Sequence, residues 1–328
     1  MNYFKDKRVL VTGGSGFVGT NLVRELVKAG ANVRATLHRR EPQIQEERVE
    51  WIRGDLLDAA FCRKVCQGID LVFMCAANTS GAGVMTTTPL VHVTPNVIMN
   101  TQMIDAAYSA GVGKFLFISS NTVYPETGHA VKEEEMTPGN VYEKYFCVAW
   151  MKQFGEVLCQ MYSEKIPKPM SALVVRPANI YGPYDDFEWA TSHVLPALMR
   201  KVIERQAPLE VWGDGNDIKD FIYVDDFVRG MMLAIEKLTR YEPINIGSGQ
   251  EMTVRTALAY MLAIDGHQAA EVVFNTSKPT MIPRRMIDVS KAKRVLDFVA
   301  TTPIEEGLRR TMAWYRLTRC VTETERDC

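Results

Sequence analysis

The apolar run KRVLVTG, starting at Lys7, passes straight into GGSGFVG and then into a helical pattern over residues 17–29. This junction constrains the chain more than any other stretch, because a strand must become a helix within a few residues. Gly13, Gly16 and Gly19 stand at three-residue spacing across it. The first two glycines permit a tight turn and close backbone approach to a pyrophosphate, and the third lets helix and strand pack closely. The free amides of the helix N-terminus would then face the anion, with Phe17 and Val18 beside it. A glycine-rich turn without a ligand is the competing interpretation, and the flanking strand and helix argue against it.

Further apolar runs follow: NVRATL, VEWIRG, LVFMCA, KFLFIS and SALVVRP, with helical periodicity between them, as over residues 97–110. Continuous apolar strands separated by helices predict a parallel sheet covered on both faces. Right-handed crossovers make it a doubly wound, Rossmann-like α/β fold with its ligand crevice at the carboxyl ends of the strands. Past Tyr181 the alternation breaks into turn-rich pieces such as YGPYDD, VWGDGND and NIGSGQ. Residues 1–180 therefore read as a dinucleotide-binding domain. Residues 181–328 read mainly as a smaller C-terminal substrate-binding lobe, with some chain interwoven.

The second strand ends in TLHRR, without the acidic residue that usually accepts from the ribose hydroxyls of NAD. His38, Arg39 and Arg40 suit a 2′-phosphate instead, so NADP is the expected cofactor and NAD the alternative. A solvated basic loop is the plain alternative for the three. Asp55, followed by Leu56, is placed to accept from an adenine amino group or to cap the next helix. A net charge of −1 gives no footprint for nucleic acid or an anionic membrane. A strand beginning at Lys7 leaves no room for a signal peptide, and no apolar run approaches the ~18 residues of a membrane span. Seven cysteines lie scattered without zinc-ligand spacing, which reads as reduced thiols in a cytoplasmic protein.

With these motifs in order, the chain resembles the extended short-chain dehydrogenase/reductases that act as NAD(P)-dependent nucleotide-sugar epimerases and dehydratases. The resemblance runs through TGGSGFVG, GDLLD, CAAN, SSNTVYP, WMK, RPANIYGPYDDF, SHVLPALMRK, VWGDGNDIKDFIYVDD, NIGSG and KPTMIPRRMIDVSKAK. It is strongest toward the GDP-fucose synthase branch. It implies that Ser120 bonds the reacting substrate oxygen and that Lys152 holds the nicotinamide ribose. It also implies cofactor contacts at Ala76, Ala77, Asn78, Pro177 and Asn179. Asn179, Trp212, Lys219 and Arg284 are the residues it implies along the nucleotide sugar.

The segment YFCVAWMK departs from the family. Such enzymes carry a tyrosine four residues before the lysine, one helical turn away on the same face. Here that residue is Val148, which has no proton to transfer. In the GDP-fucose synthase branch a cysteine two residues after the serine and a histidine after YGP form an acid/base pair; these positions are Thr122 and Tyr184. Tyr184 is then the expected substitute acid, with an ordinary half-buried loop tyrosine as the alternative. A nucleotide-sugar reductase, epimerase or dehydratase is the first functional expectation. A protein that binds cofactor and sugar nucleotide without turnover, as a regulator or subunit, is the second. His92, His129, His193 and His267 form no ligand set, and Glu133–Glu135 reads as a solvated loop, so no metal is expected. Apolar residues Trp150, Met151, Phe154, Val157, Leu158 and Met161 exceed one buried stripe. A homodimer is expected from them, or else a helix buried within one subunit.

Overall fold

Seven parallel strands form the central sheet of the computed structural model, which describes residues 3–79, 88–278 and 280–324. They are β1 (Arg8–Thr12), β2 (Asn32–Leu37), β3 (Val49–Arg53), β4 (Leu71–Met74), β5 (Lys114–Ile118), β6 (Ser171–Pro177) and β11 (Pro243–Ile246), the last reached after four strands of the smaller lobe. Their order across the sheet is β11-β6-β5-β4-β1-β2-β3. Strand order reverses between β1 and β4, which is where doubly wound sheets bind ligands.

Each strand alternates its apolar side chains between two cores. Val9 and Val11 of β1, with Leu116 of β5 and Leu173 of β6, join the core under the Phe17–Lys28 and Val224–Lys237 helices. Leu10, Phe115 and Val174 point the other way, to the core under the Ala59–Cys66, Leu90–Ser109 and Phe146–Glu164 helices. Burial on both faces explains why these strands read as unbroken apolar runs.

The smaller lobe has its own core around Tyr181, Leu198, Val211, Tyr223, Leu258 and Met312. Its short strands are β7 (Asn179–Tyr181), β8 (Leu209–Trp212), β9 (Ile218–Lys219), β10 (Phe221–Tyr223), β12 (Met252–Thr253), β13 (Val272–Asn275) and β14 (Arg284–Arg285). Pairing is β10 with β7, β13 with β8, and β9 between β12 and β14. The helices Val194–Ile203, Val254–Ile264 and Ile304–Thr324 cover them. Among the described residues, no helix is long and apolar enough to cross a membrane.

Three expectations change here. The helix expected from residue 97 begins at Leu90 and runs through Pro95. Proline has no N–H to offer the Val91 carbonyl four residues back, and Asn78 Nδ2 donates to it instead at 2.8 Å. Glu133 is no solvated loop residue: it is 7% exposed and accepts from the Asn245 amide. Its carboxyl is pushed up by burial. The Phe146–Glu164 helix is not enclosed within the chain either, since Phe146, Trp150, Phe154, Val157 and Met161 are all exposed.

Candidate active site

The glycine turn shows why its residues are glycines. Gly13 has φ +64°, and a Cβ there would stand 2.8 Å from the Ala76 Cα. A Cβ on Gly19 would stand 2.1 Å from the Gly13 carbonyl oxygen. Gly16 provides the N-cap of the Phe17–Lys28 helix with no side chain over the helix end and no acidic residue in the first turn. Phe17 and Val18 pack half-buried on the first core. The result is an uncapped helix end and a backbone cradle, which fits a dinucleotide pyrophosphate.

Two threonines fasten this cradle to its neighbours. Thr12 Oγ1 accepts from the amides of Cys75 and Ala76 at 3.1 and 3.0 Å. Thr36 Oγ1 accepts from the Gly13 amide at 3.0 Å. The carboxyl ends of β4, β1 and β2 are thus held in one row. Sequence reading passed over both threonines, because a buried hydroxyl in an apolar run carries no local signal.

His38, Arg39 and Arg40 are exposed at the end of β2. His38 lies 3.7 Å from Asp55, and its carbonyl accepts from Arg53. Asp55 itself accepts from the Leu57 amide, and it is Asp58 that caps the following helix. Leu56 is buried. Ala76 and Ala77 follow β4, and Asn78 is clasped by the Leu90–Ser109 helix. Asn96 Oδ1 accepts from the Asn78 amide and Asn96 Nδ2 donates to its carbonyl, both at 2.8 Å.

At the end of β5, Ser120 Oγ accepts from the Thr122 amide and hydroxyl at 3.1 and 2.9 Å. Lys152 is 8% exposed, donates to the Ile118 carbonyl at 2.8 Å, and lies 5.1 Å from the centre of the Phe117 ring. Burial pulls its pKa down to about 8, with Glu156 opposing the shift. Val148 occupies the first turn of the same helix, so Val148 and Lys152 share a face. The helix therefore brings Lys152 to the end of β5, with the Val148 isopropyl group one turn earlier.

Beneath them lies a buried polar network. Glu156, fully buried one turn after Lys152, takes two bonds from Arg176 at 2.9 and 2.6 Å and one from Ser119. Arg176 also donates to the Tyr124 hydroxyl at 2.8 Å, and Tyr124 donates to Asn245 Oδ1 at 2.6 Å. Gln153 reaches the Val123 carbonyl at 3.0 Å, and Asn121 reaches that of Pro177 at 3.1 Å.

The expected substrate-side residues fall into three places. Asn179 opens β7 and donates to the Asp220 carbonyl. Lys219 and Arg284 lie on adjacent strands of the β12-β9-β14 sheet, Arg284 opposite Ile218 and Lys219 opposite Arg285; Lys219 pairs with Asp217 at 3.4 Å and Arg284 with Glu251. Trp212 ends β8, exposed, with the Lys278 ammonium 5.6 Å from its ring centre. The neighbouring Arg285 is the buried arginine, donating to the Pro125 and Tyr124 carbonyls. It ties β14 to the segment after Ser120.

Tyr184 has φ +70° and its ring lies 5.1 Å from that of Trp314, in the aromatic group with Phe187 and Tyr315. The same loop holds Asp185, which sequence reading missed, and leads to His193. Asp185 is pushed by burial up to about 8, so it keeps its proton at neutral pH. The His193 pKa is lowered by desolvation, with Asp186 opposing the shift and His92 adding to it, while the residue as a whole stays exposed. The Pro183 carbonyl accepts from Asn21 of the Phe17–Lys28 helix at 3.0 Å, which brings this loop to the cradle. Among the described residues, no group of three or more acidic, histidine or cysteine side chains is arranged to hold a metal.

The NAD dependent epimerase/dehydratase family model matches residues 9–247. GDP-L-fucose synthase of Escherichia coli (strain K12) is 30% identical over 325 residues, covering 94% of this chain and 96% of that one. A dTDP-4-dehydro-6-deoxy-D-allose reductase from Streptomyces is 29% identical over 322 residues, with 95% and 97% covered. Among solved structures, a variant of UDP-glucuronic acid 4-epimerase from Bacillus cereus, bound to a UDP-sugar and NAD, has a TM-score of 0.83 at 27% identity. It covers 95% of this chain and 99% of that one. Together with the seven-stranded sheet and the glycine cradle, these matches settle the family: the chain belongs to the NAD dependent epimerase/dehydratases.

Proposed function

We propose that this chain is an NADP(H)-dependent enzyme that reduces, epimerises or dehydrates a nucleotide sugar through its 4-keto form. One observation carries the reading: Lys152 is fixed on the Ile118 carbonyl, two residues before Ser120, in the same sheet whose β1 ends in the glycine turn. When bound, the nicotinamide supplies or accepts the hydride. Gly13, Gly16 and Gly19 hold the pyrophosphate, and Arg39 and Arg40 meet the 2′-phosphate. Lys152 and Asn78 lie along the nicotinamide side. Ser120, supported by Thr122, orients the reacting oxygen. Asn179, Trp212, Lys219 and Arg284 receive the sugar nucleotide.

A second reading, binding without turnover, is favoured by Val148 alone, since the family's proton carrier is missing there. Adding 4-keto sugar nucleotides to the NADPH-loaded protein separates the two. Repeated NADPH oxidation supports the enzyme, and tight binding with no oxidation across the panel supports the regulator. Replacing Arg39 and Arg40 with alanine should weaken NADPH at least tenfold while leaving NADH within about twofold, as two charge-assisted contacts predict. Equal losses for both cofactors would move the 2′-phosphate elsewhere.

The exposed stripe Phe146, Trp150, Phe154, Val157 and Met161 supports a homodimer formed on the lysine-bearing helix. A contiguous apolar stripe of this kind marks an interaction face.

A further inference from the structure

The missing tyrosine leaves the reaction without its usual proton donor, and the structure narrows what replaces it. Tyr184 has its ring against Trp314. Lys152, by contrast, is already fixed within two residues of Ser120 by its bond to the Ile118 carbonyl. Val148, on the same face one turn earlier, has no polar atom to take part.

We infer that Lys152 is itself the proton donor in this chain, and that the buried Glu156–Arg176 pair is the positioning device that keeps it charged and in place. This rests on the reductase reading above. The network supports it because it clamps both ends of the serine segment to the lysine helix. Ser119 donates to Glu156, Tyr124 receives from Arg176, and Glu156 follows Lys152 by one turn. Lys152 is faced by Glu156 on its own helix and by the Phe117 ring and Ile118 carbonyl of β5. Arg176 of β6 lies behind Glu156, holding the carboxylate with two bonds.

The step balances without further reagents. As hydride reaches the carbonyl carbon, the C=O electron pair moves to oxygen. One N–H bond of the Lys152 ammonium breaks and an O–H bond forms. The amine left behind is reprotonated from water. An acid with pKa near 8 is well matched to this task at neutral pH, whereas an ordinary lysine is too weak.

Two readouts test the inference. In the ligand-free protein, NMR of 15N-lysine-labelled chain should show Lys152 losing its proton near pH 8, and about one pH unit lower in Glu156→Gln. With substrate, NADPH oxidation should fall on the alkaline side with the same midpoint, and Glu156→Gln should shift that limb with it. Activity at pH 8 should then drop by roughly fivefold. Tyr184→Phe, Asp185→Asn and His193→Gln should leave the midpoint in place. If Glu156→Gln does not fold, the double change Glu156→Leu with Arg176→Met removes the pair, and the midpoint should move down by less, because loss of the Arg176 cation offsets part of the loss of Glu156. An unmoved NMR midpoint, or a kinetic limb that follows any of the three loop variants, overturns the inference. Absence of NADPH oxidation with every substrate, with the NMR shift intact, instead overturns the enzyme reading.

Discussion

Lys152 and Glu156 show how burial sets the chemistry of single residues. An ammonium taken out of water loses hydration, so its charged form is disfavoured and its pKa falls to about 8 from 10.5. Below pH 8 folded and unfolded chains both carry the proton, and the folded one bears the full cost of the buried charge. Between pH 8 and 10.5 only the unfolded chain keeps the proton, so stability from this group rises with pH. At about 1.4 kcal/mol per pH unit the rise is about 3 kcal/mol. Lys152→Met should therefore be more stable than the parent at pH 7 by up to that amount, with the gap closing toward pH 10.5. Urea unfolding of both proteins at several pH values measures it, and a constant gap would contradict the argument. The same residue was visible in the sequence through its motif. Its lowered proton affinity was not, because that comes from burial of the ammonium against β5, with Glu156 opposing the shift.

The strand–turn–helix unit at Gly13 to Lys28 is the element on which the proposed cofactor binding rests. A methyl group on Gly19 would overlap the Gly13 carbonyl, which belongs to the backbone and cannot swing aside. Gly19→Ala should lower NADPH affinity by at least 100-fold, read by fluorescence titration, and cost roughly 1–3 kcal/mol of stability through overpacking. Unchanged affinity would show that the cradle binds no pyrophosphate. The spacing of these glycines was legible because each has a local geometric reason. The start of the Leu90–Ser109 helix was not. Pro95 argues against an earlier start on sequence grounds, yet Asn78, thirteen residues before Val91, supplies the missing donor. Such compensation is a contact between distant residues, and no window of sequence contains it.

At the scale of the molecule, two apolar stripes on one helix have different fates. Met151 and Cys159 turn into the chain, while Phe146, Trp150, Phe154, Val157 and Met161 face out. Composition told only that there were too many apolar residues for one face. If the outer stripe holds two copies together, Trp150→Glu combined with Phe154→Glu should give monomers with unchanged secondary structure. Sedimentation velocity at micromolar concentration reads the result, and a chain that is monomeric before mutation would reject the homodimer.

The amino-acid sequence by itself determined the sheet, its glycine turn and the family, because continuous apolar strands and glycine spacing act through local sterics and periodic burial. It also raised the expectation of a loss at Val148, from that position's distance to Lys152 on one helix. Only the tertiary structure decided which side chains meet around the lysine helix and the loop after Gly182. The Ser119–Glu156–Arg176–Tyr124 network draws its members from β5, the lysine helix, β6 and the turn after Ser120, and Tyr184 meets Trp314 across 130 residues of chain. Charges and rings brought together over such separations alter each other's proton affinity and orientation through space, and that is a property of packing rather than of any local run of residues.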